Sequence, residues 1–255
     1  MNMRAPTPRT RRLLVTMSWL GWCIAVVATC TTVLLGLEVR DRLRVEAKLR
    51  SSTALLEVHR GVDVEAGRPL LLLTGDSRAA ALGKEPLGRF TVENRGLAGQ
   101  TSIELVARIG RDMAQLRPDR AVVIIGVNDL KAREAGDEEV RNAFASILEI
   151  AAIAEAMDIP LTICPVWPAA SAPGMRGMML PEDLPSIVTD LNERTRALAD
   201  DYGTRFVEVG PLLNEEGTSV LPGLSKDALH LNSKGNEILR KSILDSIDAE
   251  VEDHD

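Results

Sequence analysis

The polar and apolar positions of the chain fall into three regimes. Residues 13–37 are twenty-five consecutive positions without a charge, more than the ~20 residues that a helix needs to cross a bilayer. Residues 38–59 hold good helix formers and no Gly or Pro, with Leu43, Leu49, Leu55 and Leu56 in a narrow apolar stripe. That pattern predicts a stalk helix, and the polar stretch 61–69 after it reads as a linker. From residue 68 onward, short apolar runs alternate with longer amphipathic stretches. The runs at 70–74, 90–94, 121–125, 160–164 and 205–209 predict five strands. Between them the spacing predicts a helix opening at 79–82, then helices over 102–116, 138–157, 184–201 and 233–247. Thr101 or Ser102, Asp137 and Ser233 are the expected caps, and Ile103, Val106, Ala107 and Met113 are the expected apolar face of the second helix. Strand–helix alternation of this kind implies parallel pairing in a three-layer α/β/α domain. The expected organisation is therefore a basic segment (1–12), a transmembrane anchor (13–37), a juxtamembrane stalk and linker (38–67), the α/β domain (68–250) and an acidic tail (251–255).

Composition supports a packed core, with 45% apolar and 26% charged residues. Charge changes the picture more. Residues 1–59 carry nine basic and four acidic side chains, net +5, while the whole chain is −7. The body is thus strongly acidic, which argues against a nucleic-acid partner. Aromatic residues make up only 3% of the chain, leaving little for stacking platforms. Cys23, Cys30 and Cys164 build no disulfide framework or zinc spacing, and His59, His230 and His254 build no histidine metal centre. No metal or cofactor is expected. At the amino end, Arg4, Arg9, Arg11 and Arg12 precede the uncharged run, and Trp19 and Trp22 lie near its start at an interfacial position. The run is longer than the ~7–15 residues of a signal-peptide core, so an uncleaved anchor is expected. A loose lipoprotein-like box at Ala28-Thr29-Cys30 and a slight twin-arginine likeness at residues 10–13 are the competing readings. Basic residues nearly balance on the two flanks. The purely basic amino end and the long folded body nonetheless suggest an exported, extracytoplasmic domain on a single-pass inner-membrane anchor.

In a parallel sheet the loops that follow the strands meet at one edge, so their residues can be considered together. After the first strand come Gly75-Asp76-Ser77. These could be no more than a turn with a helix cap, or could present a serine nucleophile. After the second comes Gly99, whose missing side chain lets its N–H approach a ligand. After the third comes Asn128, an amide donor, and before the last helix come Asp227 and His230. Serine needs an adjacent base, and His230 is nearly the only one at hand. The set has the composition of an acyl-transfer site.

These blocks, Gly75-Asp76-Ser77, Gly99 within residues 94–102, Gly126-Val127-Asn128-Asp129 and Asp227-Ala228-Leu229-His230, resemble those of the SGNH, or GDSL-type, hydrolases over about residues 68–250. The resemblance implies a flavodoxin-like five-stranded sheet and hydrolysis of esters or thioesters. It implies Ser77 as nucleophile, His230 as base and Asp227 as the partner of His230. The Ser77 N–H, the Gly99 N–H and the Asn128 side chain would then form the oxyanion hole. The glycine-x-serine-x-glycine elbow of α/β-hydrolases is absent. Arg78 is less typical of the family and would either bind an anionic substrate group or cap the rim of the site. Trp167, Met175, Met178 and Met179, in the loop after the fourth strand, could wall an acyl pocket or pack under their own loop. The expected substrate is a small or lipid-like ester. The close alternative is O-acetyl hydrolysis or acyl transfer on an envelope polysaccharide or peptidoglycan. A membrane-anchored scaffold on a retired hydrolase fold is the alternative of another class, and the intact Ser77, Asp227 and His230 count against it.

Overall fold

Residue 70 begins a strand whose every side chain is buried. Leu70–Gly75 (β1) is covered on both faces, as a central parallel strand must be. The computed structural model describes residues 67–132, 135–168, 180–181, 183–227 and 229–252, together with Trp22 and Val26. Of the expected anchor only Trp22 and Val26 are described, the expected stalk lies outside the described residues, and the last helix runs to Glu252, into the first two residues of the expected acidic tail. Among those that are described, no helix is long and apolar enough to cross a membrane.

The elements alternate as the sequence pattern suggests. After β1 come Ser77–Ala80 (α1), Thr91–Gly96 (β2), Ser102–Leu116 (α2), Arg120–Ile124 (β3), Val127–Leu130 (α3) and Asp137–Ala156 (α4). Leu161–Cys164 (β4), Leu184–Tyr202 (α5), Arg205–Phe206 (β5) and Ser233–Glu252 (α6) complete the domain. The five strands pair in the order β2-β1-β3-β4-β5, all parallel, which is the flavodoxin-like order. Leu73 lies opposite Asn94 on one side and Val122 on the other, and Gly75 opposite Gly96 and Ile124.

Side-chain alternation along each strand separates two cores. Leu72 and Val123 face Leu105 and Ile109 of α2, Val140 and Ile147 of α4, and Leu191 of α5. Leu71, Leu73 and Val122 face Ala79 of α1 and Leu239, Ile243 and Ile247 of α6. The α/β domain is therefore three layers deep, with the sheet in the middle.

Several element ends shift by one to five residues, and four further details depart from expectation, each for a local reason. The buried face of α2 is Leu105, Ile109 and Met113, spaced by four residues, whereas Ile103 is 60% exposed and Ala107 is exposed. Ile103 and Leu105 are two positions apart, about 200° around the helix, so both cannot face the sheet. Helix α4 is capped at Gly136 rather than Asp137, because the Gly136 N–H donates to Glu139 Oε2 at 2.8 Å. Ser233 is the first residue of α6; Asn232 does the capping, its Oδ1 accepting the Gly235 N–H at 3.0 Å. Strand β5 has two residues rather than five. One more ladder bond follows it, Val207 N–H to the Ile163 carbonyl, before the chain enters the 3₁₀ turn Gly210–Leu212, where Pro211 has no N–H to pair.

Candidate active site

The turn between β1 and α1 is set by Gly75. Its φ is +135°, and a β-carbon there would lie 1.9 Å from the Ile124 carbonyl oxygen, so only glycine lets β1 run this close to β3. Asp76 follows as the cap of α1. Its N–H donates to the Ile124 carbonyl at 3.0 Å, and its Oδ1 accepts the Arg78 N–H at 2.7 Å. Ser77 is thereby the first residue of α1, half-buried, with its hydroxyl at the carboxyl edge of the sheet.

Across that edge the chain forms a small closed loop before α6. Ser225 bridges Leu231, and the Lys226 N–H donates to the His230 carbonyl at 2.8 Å. Within the loop, Asp227 Oδ1 accepts the N–H groups of Leu229 (2.8 Å) and His230 (2.9 Å). Both Asp227 carboxylate oxygens lie 3.0 Å from His230 Nδ1, and His230 Nε2 lies 2.8 Å from Ser77 Oγ. With Nδ1 facing a carboxylate, the proton of neutral imidazole belongs on Nδ1, which leaves Nε2 as an acceptor for the serine hydroxyl. Partial burial pushes the Asp227 carboxyl up, but the Leu229 N–H, the imidazole and the His230 N–H outweigh it and hold the group well below the ordinary carboxylate range. Asp227 is therefore charged at neutral and mildly acidic pH.

The loops after β2 and β3 are tied to each other. Asn128 Nδ2 donates to the Gln100 carbonyl at 2.9 Å, while its Oδ1 accepts from Lys131 Nζ at 2.7 Å. Those two bonds fix which way the amide faces and leave one Nδ2 hydrogen beyond the Gln100 bond. Asp129 accepts the Ser102 N–H at 3.0 Å and its hydroxyl at 2.7 Å, which pins the start of α2 to the end of β3. Gly99 precedes Gln100 with φ +77°. The loops of β1 and β3 diverge here because β1 leads on to β2 on one side and β3 lies on the other, the switch point where open α/β sheets bind ligands.

A buried ionic cluster that no sequence motif announces lies beneath these loops. Arg95 Nη1 pairs with Asp112 Oδ1 at 2.9 Å, and Arg108 pairs with the other carboxylate oxygen of Asp112. Arg108 Nη2 also donates to Gln100 Oε1 at 2.6 Å and to the Arg95 carbonyl at 2.8 Å. The Gln100 side chain is thus held from below while its carbonyl holds Asn128. The signal in the sequence was Arg108 and Asp112 four residues apart beside the buried stripe of α2, where a solvated ion pair has no reason to be.

Arg78 and Trp167 do not lie where substrate would meet them. Arg78 is 3% and Trp167 2% exposed. The guanidinium stacks 4.1 Å from the indole centroid and donates to the carbonyls of Leu229 and Trp167, both at 3.1 Å. Its Nε and Nη2 are thus engaged by the protein itself, which makes the side chain a tie between loops more than a rim cap. Met175, Met178 and Met179 lie outside the described residues. Among the described residues no group of three or more His, Cys, Asp or Glu is placed to hold a metal ion.

A family model described as GDSL-like lipase/acylhydrolase matches residues 66–238. Among solved structures, the chain is similar to a GDSL-like lipase from Bacteroides thetaiotaomicron, at 24% identity over 79% of this chain and 97% of that one, with a TM-score of 0.64. It is also similar to an aryl esterase of M. smegmatis (16% identity, 71% and 99% covered, TM-score 0.55). A third is an acetyl-xylooligosaccharide esterase from Geobacillus stearmophilus (18%, 73% and 96%, TM-score 0.53). No curated protein matches the chain. At these identities the likeness is one of fold.

Proposed function

The chain belongs to the GDSL-like lipase/acylhydrolase family, and from that premise we propose that it is a serine ester hydrolase working through an acyl-enzyme. The observation that carries the proposal is the unbroken line from Ser77 Oγ through His230 to Asp227. In the first step His230 Nε2 takes the Ser77 proton as Oγ attacks the ester carbonyl. The oxyanion so formed accepts hydrogen bonds from the Ser77 and Gly99 N–H groups and from Asn128 Nδ2. His230 then gives its proton to the departing alcohol, leaving the acyl group on Ser77. Water, deprotonated by His230, attacks that acyl group; the acid leaves and Ser77 regains its proton. Asp227 holds the imidazole in the Nδ1–H tautomer throughout and stabilises it when charged.

Small acyl or lipid-like esters are the proposed substrates. The proposed location is the extracytoplasmic side of a membrane, through residues 13–37, whose uncharged length supports the tether. The fold-level likeness to an acetyl-xylooligosaccharide esterase favours a second reading, removal or transfer of O-acetyl groups on an envelope polysaccharide. The full chain should hydrolyse p-nitrophenyl acetate and lose that activity as Ser77→Ala. Comparing acetyl with octanoyl p-nitrophenyl esters separates the readings, since a steep preference for acetyl counts for the glycan and against lipid.

A further inference from the structure

We infer that Arg78, the residue directly after Ser77, is a positioning residue that sets the Ser77–His230 geometry by holding the backbone from which His230 projects. The inference rests on the hydrolase reading above and concerns how the proposed base is kept in place.

One peptide plane carries the argument. The carbonyl of Leu229 and the N–H of His230 belong to the same rigid unit. Its oxygen accepts Arg78 Nε at 3.1 Å, and its N–H donates to Asp227 Oδ1 at 2.9 Å. Both ends of the plane are therefore fixed, one by the charged partner of the imidazole and the other by the neighbour of the serine. Arg78 is itself anchored, because its N–H donates to Asp76 Oδ1 at 2.7 Å. The bonds close a ring running from Ser77 to Arg78 along the chain, across to the 229–230 peptide, on to Asp227 and His230, and back to Ser77 Oγ. A second arm of the guanidinium, Nη2, reaches the Trp167 carbonyl at 3.1 Å, and its face rests on the Trp167 ring. The loops after β1, after β4 and before α6 thus meet on one side chain.

Only arginine supplies this. Its planar fork offers several donors at fixed angles together with a flat face for the indole, whereas lysine offers a single point charge. A lysine at 78 brings three donors on one flexible point and no flat face, so it cannot hold the two carbonyls at fixed angles and rest on the indole at the same time. The peptide plane is then held at its Asp227 end alone and can tilt, and Nε2 drifts from Oγ. A displacement of about 1 Å costs up to ~10²-fold in rate.

The test compares full-length wild type, Arg78→Lys and Arg78→Ala in steady-state hydrolysis of p-nitrophenyl acetate, in the rate of fluorophosphonate labelling at Ser77 and in thermal unfolding. Arg78→Lys is expected to lower kcat by about 10- to 10²-fold with KM nearly unchanged, and labelling in step. Arg78→Ala is expected to lose more, and dilute, non-denaturing guanidinium chloride to restore part of the loss where equal sodium chloride does not. The inference is overturned if Arg78→Lys keeps kcat and labelling within about threefold of wild type. It is overturned equally if the loss lies wholly in KM, or if guanidinium rescues nothing in folded Arg78→Ala. Should Arg78→Ala not fold, Arg78→Lys decides. Should neither fold, Trp167→Leu, which removes the stacking face and leaves the Trp167 carbonyl in place, must in a folded chain lower kcat without raising KM, or the inference falls. A wild-type chain that neither turns over ester nor labels defeats the hydrolase reading itself, a result distinct from an active wild type with an equally active Arg78→Lys.

Discussion

Asn128 is fixed by two hydrogen bonds that have nothing to do with substrate, Nδ2 to the Gln100 carbonyl and Oδ1 from Lys131. A donor held in advance costs no reorganisation when the oxyanion forms, and removing one such donor typically costs ~10²–10³ in turnover. Asn128→Ala should therefore lose kcat on that scale while its circular dichroism stays that of wild type; near-normal turnover would contradict the assignment. Asp76 gives a prediction of the opposite kind. Burial raises its carboxyl to about 6, against the pull of the Arg78 charge and of the Arg78 N–H. An unfolded aspartate loses its proton near 4. Between those values the folded state holds the proton and the unfolded state does not, so stability falls as pH rises from 4 through 6. Asp76→Asn does not titrate. Measured by denaturant unfolding, it should gain on wild type by about 2–3 kcal/mol between pH 4 and pH 7, and a pH-independent difference would refute this. Asp227 runs the other way, since its folded value is depressed. Its contribution is complete above the unfolded value and disappears only as the solution becomes strongly acidic.

Helix α1 has four residues, and what holds it is its neighbours. Asn94 of β2 donates from Nδ2 to the carbonyls of Ala79 and Gly83, both at 2.8 Å. Gly96 of the same strand lets the two backbones touch, because a β-carbon there would sit 2.3 Å from the Ala80 nitrogen. Backbone cannot give way as a flexible side chain would. Gly96→Ala should therefore lever α1, and Ser77 with it, away from the sheet. Overpacking of this kind costs about 1–3 kcal/mol, so the denaturation midpoint and kcat should fall together, and a drop in neither would show that α1 is not braced in this way. Strands and helices were legible in the chain because burial imposes periods of 2 and 3.6 on it. Their ends and faces were less so. Ile103 looked like core in α2 because hydrophobicity alone does not set helical phase; Leu105, Ile109 and Met113 do. At Gly136 and Asn232 the cap is the residue one before the expected one, since the side chain or backbone that meets the free N–H depends on where the preceding loop enters.

At the scale of the molecule, the candidate site was readable as residue types because a parallel sheet gathers the ends of its strands. Arg78 was not, since its partners Leu229 and Trp167 lie 151 and 89 residues away in sequence. No local pattern tells a side chain aimed inward from one aimed at solvent. The basic amino end and acidic body divide the chain again, with residues 13–37 inside the basic part. If those residues anchor the protein, the full chain should enter the detergent phase on phase separation and resist alkaline carbonate extraction from membranes. Recovery in the aqueous phase and the carbonate supernatant would remove the tether from the proposal. The hydrolase reading is independent of that outcome and stands on Ser77. It is tested most directly by treating the folded chain with a fluorophosphonate and locating the adduct by mass spectrometry. One phosphonyl group on Ser77, absent in Ser77→Ala and strongly slowed in His230→Ala, is the result expected; a folded chain that does not react, or reacts elsewhere, would contradict it.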